Sequence, residues 1–346
     1  MRQEYNVSVS GATDRSTFYA SFGYLNNEGI TENSNMERYT ARLKADYQAK
    51  KWLKVGANAG YANFTYNSLS ADGQGNSSAN LFAFTSSIPP IYPLYVRDGQ
   101  GNIMKNDAGI TMYDYGNGMN AGLTRPLLPN ANGLADSRLN TDRSEGNAFN
   151  GTGFFDILFL KDFKFTFNVG VSLDETRRTT VQNPYFGQFA DENGIIGKYH
   201  TRDFSHNLQQ ILNYTKVIGK HNVNVMLGHE YYQRRQYLLY GSTGNMFSPD
   251  NDELAGAIID KQSATSYVIT YNNEGYFGRA QYDYDGKYFF SASYRRDASS
   301  RFRSLAPLGQ LLVGRYRMDR NQGEFHVRDA RLARHAEGQG IDRFAG

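Results

Sequence analysis

Six histidines are the side chains in this sequence with the greatest catalytic or metal-binding potential, and they are scattered along the chain. They do not have the spacing that histidine ligands of zinc sites share. No serine, histidine and acidic residue recur together in one segment, as a hydrolase requires. The chain has no cysteine, which excludes disulfide scaffolds and thiolate metal sites. The sequence therefore predicts no enzyme and no resident cofactor. The histidines are His200, His206, His221, His229, His326 and His335.

Two acid-rich segments offer oxygen atoms to a calcium ion. They are "ADENG" at residues 190–194 and "SPDNDE" at residues 248–253. Neither segment has the spaced ligands of a known calcium loop. Ordinary exposed turns explain the same residues, so calcium in these loops is an open alternative to no cofactor at all.

Two further sets of side chains suit ligand binding rather than covalent chemistry. The first set is charged and shares one face of the segment "RYTARLKADYQ": Arg38, Arg42, Lys44 and Asp46. The second set is aromatic and falls in a long irregular stretch: Tyr92, Tyr95, Tyr113 and Tyr115. Flat aromatic rings suit the CH-rich faces of sugar rings, and charged rows suit polar cargo. What these sets do depends on the elements that position them.

Those elements are strands, because apolar and polar residues alternate with a period of two. Tyr39, Leu43 and Tyr47 share the face opposite the charged row, and "FKFTFNVGVSLD" at residues 163–174 alternates in the same way. About ten such segments occur before residue 302. Aromatic content of 14% with a mean hydropathy of −0.61 suits strands that have one apolar and one wet face.

The connections between these strands alternate strictly between tight turns and long loops. The long loops lie near residues 64–146, 175–204 and 238–271, with a shorter one near residues 26–36. This order is typical of an outer-membrane β-barrel with short periplasmic turns and long extracellular loops. A soluble β-sandwich also alternates, but loops of about 80 residues are far longer than its loops usually run. The sequence therefore predicts an all-β fold, a transmembrane antiparallel barrel.

Charge and hydropathy limit the partners. No run of about 18 apolar residues occurs, so no helix is expected to span a bilayer. Residues 301–346 contain nine Arg, no Lys and five acidic residues, whereas residues 1–300 carry 28 Lys and Arg against 29 Asp and Glu. The body therefore has no basic signature, and no nucleic-acid partner is expected.

Three stretches of residues 1–302 carry motifs that point to one protein family. Residues 3–61 contain "YNVSVSG", "NNEGI", "RYTARL" and "WLKVGAN". Residues 87–102 read "SIPPIYPLYVRDGQGN", and residues 276–302 form a later hairpin pattern. In this order the three stretches resemble early barrel strands, a Pro-rich segment of the first long loop and a later hairpin of the SusC/RagA family of TonB-linked outer-membrane transporters.

The resemblance implies a barrel of about 22 strands in a Gram-negative outer membrane, with a plug domain in its lumen. It implies import of glycans or peptide-derived nutrients, energy from the TonB complex, and a SusD-like surface lipoprotein as partner. The charged row would then line the lumen, either on a nutrient path or as polar filling around the plug. The loop tyrosines would stack on sugars, pack the loop, or form a lid that faces the lipoprotein.

About ten strands cannot close such a barrel, and an open edge in lipid leaves unpaired backbone groups that each cost several kcal/mol. The plug and the TonB-binding segment, which the family carries at its N-terminus, are not found in this sequence. We therefore expect residues 1–302 to be part of a larger transporter barrel, with the TonB contact supplied by the missing region.

Residues 303–346 have a different composition, and we expect them to be a frameshifted, non-native tail. The family continues after the hairpin with a strand resembling W-G-x-F. When the reading frame is shifted by one base, the codons of Met318 and Asp319 encode Trp, whichever Asp codon is used. In the same shifted frame the codons of residues 308–311 can encode Trp-Gly-Asn-Phe. A basic amphipathic C-terminal helix is the alternative, but the apolar face of residues 327–337 is thin.

Two classes of function stay open at this stage. The first is a fragment of a TonB-dependent nutrient importer. The second is a different outer-membrane or secreted β-protein with an adhesin or structural role. Plug codons upstream of this segment would favour the first, and a signal peptide directly before Met1 would favour the second.

Overall fold

The computed structural model describes residues 1–68, 81–187, 189–248, 251–258, 262–301, 308–318 and 328–334. They form one antiparallel sheet of 12 strands that pair in chain order. This confirms the predicted fold class and adds two strands to the expected ten. The strands are β1 Arg2–Ala12, β2 Ser16–Glu28, β3 Asn35–Lys50, β4 Leu53–Asn67, β5 Thr141–Phe159, β6 Phe163–Gln182, β7 Ile195–Ile218, β8 His221–Gly244, β9 Ser263–Tyr284, β10 Tyr288–Ser299, β11 Leu308–Met318 and β12 Arg328–Arg334.

Tight turns connect the strands at one end of the sheet, as the sequence predicts. The β5–β6 turn has two consecutive residues of positive φ, Leu160 at 49° and Lys161 at 61°. The β9–β10 turn repeats this with Asp285 at 54° and Gly286 at 64°. Two central residues of positive φ give a turn whose twist matches that of the flanking strands. These turns therefore set the register of each hairpin.

The strands are longer than the sequence pattern indicates. β7 and β8 pair without interruption from Ile195 opposite Gly244 to Ile218 opposite His221. The predicted loops near residues 175–204 and 238–271 shrink accordingly to residues 183–194 and 245–262, and the first long loop occupies residues 68–140. Segments such as "ETRRTTVQ" lack an apolar face, but backbone hydrogen bonds do not require one. Alternation therefore marks only the part of each strand that has an apolar face.

The two faces of the sheet have opposite chemistry. The apolar face exposes large side chains, among them Phe22 at 54%, Leu43 at 63% and Leu227 at 57% of their surface. On the polar face, Lys44 of β3 pairs with Tyr19 of β2 and with Asn58 of β4. Exposed apolar side chains on this scale would not be stable in water, so this face needs an apolar solvent.

The buried hydrophobic core lies in the loop layer at the end opposite the tight turns. Helix α1 spans Leu81–Ser87, helix α2 spans Gly133–Leu139, and two 3₁₀ turns span Ala190–Glu192 and Leu254–Gly256. One buried cluster joins Tyr113, Tyr115, Ala135 and Phe186. Among the described residues, no helix combines the length and the apolar content needed to cross a membrane.

Two strands lie in the segment predicted to be out of frame. β11 pairs with β10 from Tyr288 opposite Met318 to Ala298 opposite Leu308. β12 then pairs with β11. The backbone in this region continues the sheet, while residues 302–307, 319–327 and 335–346 lie outside the described part of the chain. The frameshift stays a prediction that only the coding sequence can decide.

Candidate functional site

Strand β3 brings three of the four predicted charged residues to one cleft on the polar face. The cleft has a volume of about 410 Å³. Arg42, Lys44 and Asp46 line one side of it, because residues two apart on a strand point the same way. The remaining lining residues come from β2, β4 and β5: Tyr19, Ala57, Asn58, Thr152 and Phe154. Arg38 lies on the same face but is not part of this cleft.

The charged side chains of this cleft lie close to one another but do not form a short ion pair. The Lys44 ammonium lies 4.0 Å from the Asp46 carboxylate, and the side chains are 58% and 23% exposed. Thr17 donates its hydroxyl to Asp46 at 3.3 Å. The Asp46 carboxylate lies above Gly56, where a Cβ would come within 2.4 Å of it. The arrangement can bind hydroxyl, carboxylate and amide groups of a polar ligand.

The predicted loop tyrosines do not form a common exposed surface. Tyr113 is 5% and Tyr115 is 1% exposed, and Phe186 packs on both, with ring centroids 6.4 and 6.0 Å away. Their rings form the loop core, which is the loop-packing alternative, and a ligand contact by these two residues stays a prediction. Tyr95 and Tyr92 are half-buried, so the prediction stays open for them.

The loop core is organised by polar groups. Asn132 is fully buried, accepts hydrogen bonds from two backbone amides in the first turn of α2, and donates to the carbonyls of Leu94 and Asp114 at 3.0 Å each. The Tyr115 hydroxyl donates to Asp136 at 3.0 Å. Burial raises the pKa of Asp136 to about 6, and burial beside Asp136 raises the pKa of Tyr115 well above its usual range.

A second cleft, which sequence reasoning missed, opens beside this core. It has a volume of about 580 Å³ and lies between residues 115–130 and residues 185–191. Its lining combines rings, amides and one carboxylate: Tyr115, Asn117, Met119, Pro129, Asn130, Tyr185, Phe186, Gly187, Ala190 and Asp191. Such a mixture suits a ligand with both apolar faces and polar groups. No sequence signal joins the two segments, because they meet only through the folded loop layer.

Ion pairs join the long loops to one another and to the sheet. Arg138 of α2 donates twice to Glu32 of the β2–β3 loop, at 2.5 and 2.8 Å, and lowers the pKa of that carboxyl. Arg143 pairs with Asp252 at 3.2 Å. The long loops are therefore attached to the wall at several points.

The acid-rich segments predicted as calcium candidates are partly used in these pairs. Asp252 contacts Arg143, and Lys198 contacts Glu253 at 3.0 Å and Asp252 at 3.7 Å. Residues 249–250 of that segment lie outside the described residues. The described part of the chain contains no group of three or more His, Cys, Asp or Glu that could hold a metal ion. Calcium binding stays a prediction.

Comparison with known proteins shows which family this geometry resembles. The chain is 25% identical over 310 residues to TonB-dependent receptor P3 of Formosa agariphila, covering 86% of the chain and 28% of that protein. It is 26% identical over 320 residues to TonB-dependent receptor SusC of Bacteroides thetaiotaomicron, covering 86% and 29%. The predicted resemblance to the SusC/RagA family is confirmed.

The solved structures agree on the fold. A structure of the RagAB peptide transporter superimposes with a TM-score of 0.72 at 23% identity, covering 92% of this chain and 34% of that one. The RagAB peptide importer in its "closed-closed" state gives 0.73 at 24% identity, covering 91% and 34%. No family model matches the sequence.

The fold and the relatives together assign both faces and both ends of the sheet. The chain is a segment of an outer-membrane β-barrel, with its apolar face in lipid, its polar face in the lumen, and its tight turns in the periplasm. It spans less than a third of the length of the curated relatives it matches.

Proposed function

We propose that this chain forms about half of the barrel wall of a TonB-dependent nutrient importer. The cargo class is an oligosaccharide or a peptide, the energy comes from the TonB complex, and a SusD-like surface lipoprotein is the partner. The observation that carries the proposal is the shared fold and sequence likeness, over most of the chain, to receptors and transporters of this family.

Two clefts support an import route. The loop cleft beside Tyr115 and Asp191 faces the outside, where cargo arrives. The polar cleft at Arg42, Lys44 and Asp46 lies lower in the wall and faces the lumen. Cargo would meet the loop cleft first and the charged row afterwards. The charged row serves equally as a contact for a plug, so its variants must be tested by transport and by folding.

Uptake in whole cells tests the proposal. The complete transporter that contains this chain is expressed in a Gram-negative host with its TonB complex, and uptake of labelled oligosaccharides and labelled peptides is measured. We expect uptake of one class, lost when TonB is deleted. We expect Lys44→Gln with Asp46→Asn to slow uptake several-fold, while Lys105→Gln, an exposed loop residue, leaves it unchanged.

Other outcomes would favour the adhesin or structural alternative. Binding of cells to a surface polymer, with no uptake that depends on TonB, would refute import. A SusD-like lipoprotein that fails to co-purify with the intact transporter would remove only the partner from the proposal.

A further inference from the structure

The lysines of this protein are concentrated at the periplasmic turns. Eight of its 12 lysines lie in five short segments, residues 12–16, 48–54, 159–164, 216–221 and 284–288, which together are the periplasmic rim. These segments hold only one of the 25 arginines, Arg15. The rim lysines are Lys50, Lys51, Lys54, Lys161, Lys164, Lys216, Lys220 and Lys287.

This distribution gives the barrel wall a charge gradient along its axis. The periplasmic rim carries nine Lys and Arg against three Asp, a net charge of +6. The other residues up to Ser300 carry 19 Lys and Arg against 26 Asp and Glu, a net charge of −7. A positive rim next to a lipid surface attracts anionic headgroups, an effect that is strongest within a Debye length of about 8 Å.

Internal ion pairs neutralise only part of the rim. Lys220 and Lys287 share the single carboxylate of Asp285 at 3.1 and 3.0 Å. Lys216 pairs with Asp162.

Four rim lysines make no ion pair within the described part of the chain: Lys50, Lys51, Lys54 and Lys161. The ammonium group of Lys54 lies over the Phe154 ring, 5.6 Å from its centroid. The other three have exposed side chains, and their ammonium groups are free to bind an external anion.

Aromatic side chains mark the depth at which these lysines lie. On the apolar face, Phe159 and Phe163 have ring centroids 5.5 Å apart, and Phe163 and Tyr214 are 4.7 Å apart. Trp52 is 51% exposed beside Lys51. Such rings lie at the boundary between hydrocarbon and headgroups, so lysines just beyond them reach the phosphate layer.

The orientation of Lys50 places an unpaired lysine next to the aromatic layer on the lipid-facing side. Lys50 pairs with Leu53, which belongs to the apolar, lipid-facing row of β4, so Lys50 faces lipid as well. Lysine buries its alkyl stem along an apolar surface and extends its ammonium group toward polar headgroups. Lysine also acts as a point charge, which suits mobile phosphodiesters better than a fixed bidentate partner.

We propose that the periplasmic rim binds anionic phospholipids of the periplasmic leaflet through Lys50, Lys51 and Lys161. The phosphodiester of phosphatidylglycerol is the group recognised, and the aromatic layer above it holds the acyl chains. Each lysine near such a surface favours the anionic lipid about fivefold. The rim fixes the height of the wall in the membrane and selects the lipids around it. This role does not depend on what the transporter imports.

Native mass spectrometry of the complete transporter tests this inference. The protein in a neutral detergent is mixed with equal amounts of phosphatidylglycerol and phosphatidylcholine of the same acyl chains, and the retained lipids are counted. We expect at least about fivefold preference for phosphatidylglycerol, falling as salt rises from about 50 to about 500 mM. The triple variant K50Q/K51Q/K161Q should lose most of this preference.

A control variant shows whether the lipid preference depends on the position of the lysines at the periplasmic rim or only on the net charge of the protein. Arg97 and Lys105 are exposed on the extracellular loop, so R97Q/K105Q removes cations from the opposite side of the membrane. Its lipid preference should equal that of the unmodified protein. Equal retention of both lipids by the unmodified protein, or equal loss of preference in the two variants, would overturn the inference. Circular dichroism spectra that superimpose on that of the unmodified protein show that each variant is folded.

Discussion

Replacing Asp136 by Asn is expected to stabilise the extracellular loop core at neutral pH. Asp136 is on helix α2, accepts a hydrogen bond from Tyr115 at 3.0 Å, and is half-buried between the buried residues Ala135 and Ser137. Its pKa is raised to about 6 because burial disfavours the charged carboxylate. The amide side chain of the variant would keep an acceptor oxygen for Tyr115 and would carry no charge.

The magnitude and sign follow from the pKa. The carboxyl of the open loop ionises near pH 4, its ordinary value, and that of the closed loop ionises near 6. Below pH about 4 the group is neutral in both states and has no effect. Between 4 and 6 the open state ionises first, so stability of the closed loop falls as pH rises. Above 6 the penalty is complete, at most about 3 kcal/mol because some solvent contact is retained.

Hydrogen exchange measures this local stability. Exchange of peptides covering residues 112–140 is followed in the complete transporter from about pH 4.5 to about pH 7.5, with correction for the intrinsic pH dependence of exchange. We expect protection to fall by up to about 100-fold over this range in the unmodified protein. The Asp136→Asn variant should show a flat profile at the high level.

Asp98→Asn is the matched control. Asp98 is a half-exposed loop carboxylate, outside the loop core, whose pKa is lowered by hydrogen bonds from the Asn102 side chain and backbone amides. It should leave the profile of residues 112–140 unchanged. The reasoning is refuted if protection rises with pH, or if the slope persists in Asp136→Asn.

Three further predictions follow from the same geometry. Gly116→Ala should cost the loop more than about 2 kcal/mol, since φ is +68° and a Cβ would meet the Arg125 side chain at 2.2 Å, whereas Gly109→Ala at φ +78° in open space should cost about 1 kcal/mol. Protease resistance of the loop ranks the two variants. Arg138→Gln should cost at most about 1 kcal/mol, because its ion pair is exposed, and a double-mutant cycle with Glu32→Gln checks this. Resequencing the codons for residues 300–346 should restore a Trp-Gly-x-Phe strand by a single-base correction; an unchanged sequence would refute the frameshift.

The sequence predicts the membrane-facing part of this fold well, for a physical reason. One face of each strand must be apolar, as Leu43 and Phe163 show, so alternation is visible without a structure. Tight turns such as Asp285–Gly286 can also be recognised in the sequence, because few residue types adopt positive φ readily and Asp and Gly are among them. The strand order then follows from chain order.

The candidate sites are less predictable from sequence. The row Arg42, Lys44 and Asp46 was found because it lies on one strand. The loop cleft was missed because its two walls meet only in the folded loop layer. The sequence left open whether Tyr113 and Tyr115 pack the loop or contact a ligand, and only the structure shows their packing against Phe186 in the loop core.

The length of β7 and β8 has a consequence for the extracellular side of the sheet. Each has 24 residues, which at about 3.4 Å per residue and a tilt of about 40° gives a height near 60 Å, against an apolar band of about 25 Å. Since the periplasmic turns are tight, the strand length beyond the apolar band extends from the membrane on the extracellular side as paired β-structure. A molecule diffusing toward the cell therefore meets this extension in water, well before it reaches the plane of the membrane. Its shape is held by the backbone hydrogen bonds between paired strands rather than by side chains.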